Sequence, residues 1–257
     1  MKSKKFAVLY LVITSVMFMI LHADIAVPET IRIGLSFGQS QANIFTLASE
    51  TGMNILILEK GSYKNLLEVK NPKVVKVRRD EYYNIAGGKE CEINYVRAAK
   101  YEGEVVGPYH IQIGGVYANA EAALQVLKQV SSITQSVFLA YEEGWRVWSQ
   151  LYLDESECLE QIKIMKKEAS DLKYSVVYPD KKRIQIIDNT TGKLMLLLNS
   201  EGNVKVTPKE VNGKVSSLQY KGKKYRGSIV MQSFEESDVT VINELSLEHY
   251  LYSVVPS

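Results

Sequence analysis

Polar and aromatic side chains alternate with apolar ones in two short segments of the sequence, HIQIG and RVW. His110 and Gln112 alternate with isoleucines in the first segment, and Arg146 and Trp148 flank a valine in the second. Neighbouring side chains of a β-strand point to opposite faces, so we expect these four side chains on one face of a sheet. An exposed indole beside amide and guanidinium donors could stack on a sugar ring and hydrogen-bond its hydroxyl groups. The pattern therefore indicates a carbohydrate-binding surface.

Both segments begin a strand–turn–helix unit, and the second unit repeats the first. A shift of 36 residues places Tyr109 on Trp145 and continues through both predicted helices. A further strand is predicted after each helix, at 136–144 and at 174–178. The expected fold is α+β with a ferredoxin-like βαβ-βαβ unit over residues 105–180. Its helices would cover the isoleucine and valine face and leave the opposite face open.

The same surface admits two other interpretations. A loop could cover Trp148, and Gln112 and Arg146 would then be ordinary solvated side chains. A sheet with exposed aromatic residues could also bind single-stranded nucleic acid. The formal net charge is only +2, however, and the basic residues are scattered among acidic ones, which argues against a nucleic-acid partner.

Residues 1–26 have the character of an export signal or a retained membrane anchor. Lys2, Lys4 and Lys5 precede the uncharged apolar run Phe6–Leu21. Such a basic start followed by a short apolar run is typical of exported proteins. The run is slightly short for a spanning helix, so both interpretations stay open. We expect an exported protein that contacts the membrane only through this segment.

The cysteines and histidines do not form a recognisable metal site. Cys91 and Cys158 are far apart, and His22, His110 and His249 do not cluster. Cys158 lies among apolar residues of a helical pattern, which favours a small buried hydrophobic role. A disulfide between the two cysteines stays open outside the cytosol. No metal and no cofactor are predicted.

The segments on either side of the central unit are rich in predicted strands. Short apolar or alternating runs fill residues 30–104 and 181–257, and NTTGK between two such runs predicts a hairpin. The two segments read as one β-rich composition split by the insertion of residues 105–180.

The central unit resembles the SPOR (sporulation-related repeat) family, which binds peptidoglycan glycan strands stripped of their stem peptides. The first-strand pattern of that family, aromatic-x-V-Q-x-G, is matched by Tyr109, Ile111, Gln112 and Gly114. The second half is matched by Gly144, Trp145, Arg146 and Val147, whereas Gln150 and Leu151 stand where a G-P turn is common. The resemblance implies glycan binding on the sheet face that carries Gln112 and Arg146. We accordingly expect a glycan-binding site formed by His110, Gln112, Gly114, Arg146 and Trp148.

The end of the chain resembles the entry to the SpoIID/LytB domain. The pattern Y-R-G, then V-N-x-L-x-L-E-x-Y-L-x-x-V-V-P-x, is matched by Tyr225, Arg226, Gly227, Val241, Asn243, Leu245, Leu247, Glu248, Tyr250, Leu251, Val254, Val255, Pro256 and Ser257. The IRIGL run at Ile31–Leu35 is similar to the opening strand of that family. The flanking segments are therefore expected to be parts of one SpoIID-like domain.

The second resemblance implies an activity whose key residue is expected just beyond the sequence. In the family, a glutamate after V-V-P-S is the general acid/base of lytic transglycosylases. The sequence stops at Ser257, and Glu235, Glu236 and Glu248 do not replace that residue. The expectation is a fragment of a lytic transglycosylase or amidase enhancer that works with other cell-wall hydrolases, without a catalytic residue of its own. A short protein that only binds glycan, or that docks a partner protein at the envelope, is the alternative.

Overall fold

Three sheets and three helices make up the part of the chain that can be described in this computed structural model. The described residues are 29–254, with gaps at 42–43, 71–73, 81, 86–88, 93–103, 106–107, 135, 150, 153, 202, 212–215 and 235–236. The predicted signal or anchor at 1–26 and the final V-P-S lie outside them. Within the described residues no helix is long and apolar enough to cross a membrane.

The elements follow the three parts of the sequence. Before the central unit come β1 (Thr30–Ser36), β2 (Ile44–Ala48), β3 (Met53–Glu59), β4 (Ser62–Val69), β5 (Val74–Arg79), β6 (Tyr82–Ile85), β7 (Lys89–Glu92) and β8 (Glu104–Val105). The central unit contains β9 (His110–Tyr117), α1 (Ala120–Val130), β10 (Phe138–Tyr141), β11 (Trp145–Trp148), α2 (Glu155–Glu168) and β12 (Tyr174–Val177). After it come β13 (Arg183–Asp188), β14 (Leu194–Asn199), β15 (Val204–Pro208), β16 (Leu218–Tyr220), β17 (Lys223–Tyr225), β18 (Ser228–Phe234), β19 (Ser237–Ser246) and α3 (Leu247–Val254).

Strands from both flanking segments pair with each other in the two larger sheets. A six-stranded sheet has the order β1-β19-β18-β15-β3-β4, and a ten-stranded sheet has the order β12-β9-β11-β10-β14-β13-β5-β2-β16-β17. The third sheet has the order β7-β6-β8. The predicted α+β class is confirmed at this level, and the two flanks pair with each other as one β structure. The hairpin predicted around NTTGK is the antiparallel pair β13–β14.

Each long helix of the central unit begins at a residue that caps its first turn. The Asn119 side chain accepts a hydrogen bond from the Ala122 backbone nitrogen at 2.9 Å, and Asp154 does the same for the Glu157 nitrogen at 2.9 Å. These bonds satisfy backbone donors that have no partner inside the helix. Asn119 therefore caps α1 and Asp154 caps α2, in line with the preference of asparagine and aspartate for this position.

The four strands of the central unit are antiparallel to their neighbours within the unit and continue into the flanking strands. Their order is β12-β9-β11-β10, and β10 then pairs in parallel with β14, Ala140 opposite Leu197. An edge strand exposes unpaired backbone groups, and β14 satisfies those of β10. The unit therefore shares its sheet with the segment that follows it.

The ten-stranded sheet curls strongly between β9 and β5. Asp80 directly follows β5, and its Oδ2 lies 3.1 Å from Nε2 of His110, at the start of β9. Four strands separate β9 from β5 in the sheet order, so a flat sheet could not bring these two residues together. The helix-free face is consequently the concave side of this curl.

Both faces of the central unit are packed. Ile111, Ile113 and Val147 on the helix side are fully buried in the main core, together with buried residues of α1 and α2. On the concave side a smaller cluster contains Phe138, Ala140, Trp148 and Leu197, and the half-buried Val177 and Leu194 pack against it.

Cys158 supplies a test of the helix-side packing. The free thiol is buried, and this burial raises its pKa to about 12. A protonated thiol is a poor nucleophile, so we expect no alkylation by iodoacetamide at pH 8 in the folded protein and rapid alkylation in urea. Mass spectrometry of the Cys91→Ser variant isolates this thiol, and rapid labelling without denaturant would contradict the packing of α2.

Candidate functional site

The four polar and aromatic residues of the central strands lie on one face of the sheet, as predicted. Gln112 is directly opposite Trp148 in the β9–β11 pair, and Arg146 is opposite Ala140 in the β10–β11 pair. The helices pack against the other face, through Ile111, Ile113 and Val147. The alternation in the sequence therefore identified the shared face correctly.

The expectation that Trp148 is exposed on this face is wrong. Its side chain is only 1% exposed. The His110 ring stacks on it with centroids 5.6 Å apart, and the Arg183 guanidinium carbon lies 4.8 Å from the indole centroid. Leu197 of β14 packs beside it. The physical reason is that β14 and β13 extend the same sheet and curl over the indole, so strand side chains cover it instead of a loop.

Gln112 joins Arg146 and Trp148 in a small hydrogen-bonded group. Its Oε1 accepts from Nη1 of Arg146 at 2.7 Å and from Nε1 of Trp148 at 3.3 Å. Two donors directed at one oxygen determine the orientation of the amide. Gln112 and Arg146 are half-buried. Among the described residues, the Gln112 amide nitrogen and Nη2 of Arg146 have no hydrogen-bond partner, so both remain donors for a ligand.

His110 is buried in a polar network that the sequence did not reveal. Its Nδ1 lies 3.2 Å from the Ser149 carbonyl oxygen, and its Nε2 lies 3.1 Å from Asp80. The other Asp80 oxygen accepts from Nε2 of Gln185 at 2.5 Å. A carbonyl oxygen can only accept a hydrogen bond, so Nδ1 is the donor in its contact with Ser149. His110 therefore supports Trp148 from the interior, and its side chain is only 1% exposed.

Gly114 has a conformational role in this structure. Its φ of +79° is unfavourable for other residues, and a Cβ atom there would lie 2.2 Å from the Tyr117 hydroxyl oxygen. The pairing of β9 with β11 shifts at this point, from Val147–Ile113 to Trp145–Tyr117. Gly114 therefore belongs to a β-bulge, which bends β9 at the end of the face.

A cleft opens beside Arg146 at the carboxyl end of β10. Its volume is about 590 Å³, which is within the usual size of small-molecule sites. The charged residues that line it, besides Arg146, are Glu59, Lys60, Glu142, Glu143 and Glu201. Carboxylates accept hydrogen bonds from hydroxyl groups, while Arg146 donates, so the cleft suits a hydroxyl-rich ligand.

Tyr141 lines this cleft and hydrogen-bonds to residues of the flanking strands. Its hydroxyl donates to Oε2 of Glu59 at 3.0 Å and accepts from Nζ of Lys64 at 2.9 Å. Burial raises the pKa of the Tyr141 hydroxyl, and the hydrogen bond with Tyr141 raises the pKa of the Lys64 ammonium. Both groups therefore keep their protons at neutral pH, and the hydrogen-bonded chain is stable there.

The comparisons with known proteins produced no match. No protein-family model, no curated protein and no solved structure is significantly similar to this chain. The two family resemblances consequently rest on the sequence motifs themselves.

The burial of Trp148 makes a prediction about stability. We expect Trp148→Ala to lower the free energy of unfolding by about 3–5 kcal/mol, because it removes a large buried ring and leaves a cavity. Urea denaturation followed by circular dichroism measures this change. A Tyr178→Ala variant is the control, since its ring is 56% exposed, and it should lose far less. A loss below about 1 kcal/mol for Trp148→Ala would show that the indole is not covered.

Proposed function

We propose that this protein binds peptidoglycan glycan strands at the half-buried Gln112–Arg146 pair on the helix-free face of the central unit. The single observation that carries the proposal is the pair of unused donors, the Gln112 amide nitrogen and Nη2 of Arg146, beside a cleft lined with acceptors. Glycan strands carry hydroxyl and N-acetyl oxygens that accept hydrogen bonds. Donors held at a fixed orientation are suited to recognise such groups.

The proposal also concerns the architecture of residues 105–180. We propose a ferredoxin-like βαβ-βαβ unit of the SPOR type, inserted between SpoIID/LytB-like segments at 30–104 and 181–257. The antiparallel order β12-β9-β11-β10, with both helices on one face, supports it. The pairing of strands from the two flanks in the same sheets supports the idea of an insertion.

The five residues expected at the site have different roles in this proposal. Gln112 and Arg146 contact the glycan. Trp148 positions Gln112 through its indole nitrogen, His110 supports Trp148, and Gly114 shapes the end of β9. Sugar stacking on an exposed indole has no part in it.

The family resemblances also lead to a proposal about the location and the partners of this protein. We propose an exported cell-wall protein, with residues 1–26 as signal or anchor and with other cell-wall hydrolases as partners. A SpoIID/LytB-type part that carries the family glutamate would cleave glycan or assist an amidase. The central unit would bring that activity to strands without stem peptides.

Binding to purified sacculi tests the proposal. We expect retention on amidase-treated sacculi and weak retention on intact ones. Arg146→Ala should weaken binding to the treated sacculi by about 10- to 100-fold, because a hydrogen bond from a charged group contributes about 1.5–3 kcal/mol. Pelleting assays over a range of protein concentrations measure the affinity.

A matched control separates binding from folding. Arg32 lies on β1, in the six-stranded sheet, and its side chain is 48% exposed. Arg32→Ala should bind like the unchanged protein, and circular dichroism should show that both variants fold. Equal retention of Arg146→Ala and the unchanged protein, or equal retention on both kinds of sacculi, would contradict the proposal and favour an envelope interaction module.

A further inference from the structure

A second cavity opens at the other end of β10. The first cleft includes Tyr141, the last residue of β10, whereas this cavity includes Phe138, its first residue. Its volume is about 530 Å³, which is again the size of a small-molecule site. Neither the proposed glycan contacts nor the two family motifs use it.

The charge of this cavity is opposite to that of the first. Three cationic side chains line it, those of Lys76, Arg78 and Lys193, and no aspartate or glutamate is among its described lining residues. Within the described part of the chain, Lys76 and Lys193 form no ion pair. Two lysines that line one cavity, with no ion pair among the described residues, attract an anionic ligand.

The sheet contributes both charged and apolar side chains to the wall of this cavity. Lys76 and Arg78 of β5 are directly opposite Ile187 and Gln185 of β13 in the strand register. The apolar end of the wall is formed by Leu194 at the start of β14 and Phe138 at the start of β10. Lys193, directly before β14, adds a cation beside Leu194, so the wall offers both cations and apolar side chains to a ligand with an anionic end and an apolar body.

Two nearby groups oppose an anion, and neither outweighs the cations. The carboxyl end of α1 contributes Leu127 and carries the equivalent of about half a negative charge. The Leu127 carbonyl already accepts from the nitrogen and hydroxyl of Ser131, at 3.0 and 2.6 Å. The Asp80 carboxylate behind the wall is engaged by His110 and Gln185.

We propose that this cavity binds a phosphate monoester with an apolar organic group. A phosphate monoester carries about −1.5 to −2 charge at neutral pH, which matches the two lysines better than a single carboxylate does. Lysine and arginine are the side chains that most often bind phosphate. The apolar group would lie against Phe138 and Leu194.

Calorimetric titration of the full chain tests this site with hexyl phosphate as the probe. We expect saturable binding to the unchanged protein and at least a tenfold weaker affinity for the Lys76→Gln/Lys193→Gln variant. Hexanol has the apolar chain without the phosphate, and inorganic phosphate has the anion without the chain. Each should bind at least tenfold more weakly than hexyl phosphate. Equal affinity of the variant, or of hexanol, would overturn the proposal.

Control variants keep the result independent of glycan binding. Lys163→Gln/Lys167→Gln removes the same charge from exposed positions of α2 and should leave hexyl phosphate binding unchanged, as should Arg146→Ala. A loss equal to that of the cavity variant in either control would contradict a local site. Flotation with phosphatidylcholine vesicles, with and without phosphatidic acid, identifies the source: phosphatidic-acid-dependent flotation indicates a lipid headgroup, and hexyl phosphate binding without it indicates a soluble ester.

Discussion

The stacked rings of His110 and Trp148 connect all three parts of the chain. Asp80, from the segment before the central unit, binds the imidazole, and Arg183, from the segment after it, covers the indole. These contacts require β5 and β9 to approach each other across the curl of the ten-stranded sheet. The shape of the sheet, the covering of its helix-free face and the positions of both cavities therefore depend on this one stack.

The buried charged groups at this contact favour one register of the strands. Both Asp80 oxygens accept hydrogen bonds, and Arg183 donates to the Tyr178 carbonyl at 2.7 Å while its guanidinium also lies 3.4 Å from Glu142. Leaving one buried charge without its partner costs about 3–5 kcal/mol. A shift of β13 by one residue would turn Arg183 to the other face, so the network disfavours any other register.

Local features of the sequence predicted local structure well. The alternation in HIQIG and RVW identified the residues that share a face, and NTTGK identified the hairpin of β13 and β14. The burial of Trp148 could not be predicted in the same way. It depends on the parallel pairing of Ala140 with Leu197, which joins two strands far apart in the sequence. One signal was present: LMLLL in β14 is apolar at every position, which is typical of strands covered on both faces. Such a strand must pack against something, and here that is the face expected to be open.

The covered indole changes what kind of recognition the central unit can perform. Stacking on a sugar ring tolerates several orientations, whereas the Gln112 amide is held by two donors and presents its nitrogen in one direction. The proposed glycan contacts at this end of β10 are therefore hydrogen bonds, in a cleft that Arg146 and several glutamates line. The other end of β10 has the reverse character, because lysines there attract anions and glutamates are absent from its described lining. The two proposed sites thus lie at opposite ends of β10 and differ in the charge of their linings, with mostly glutamates beside Arg146 and lysines near Phe138.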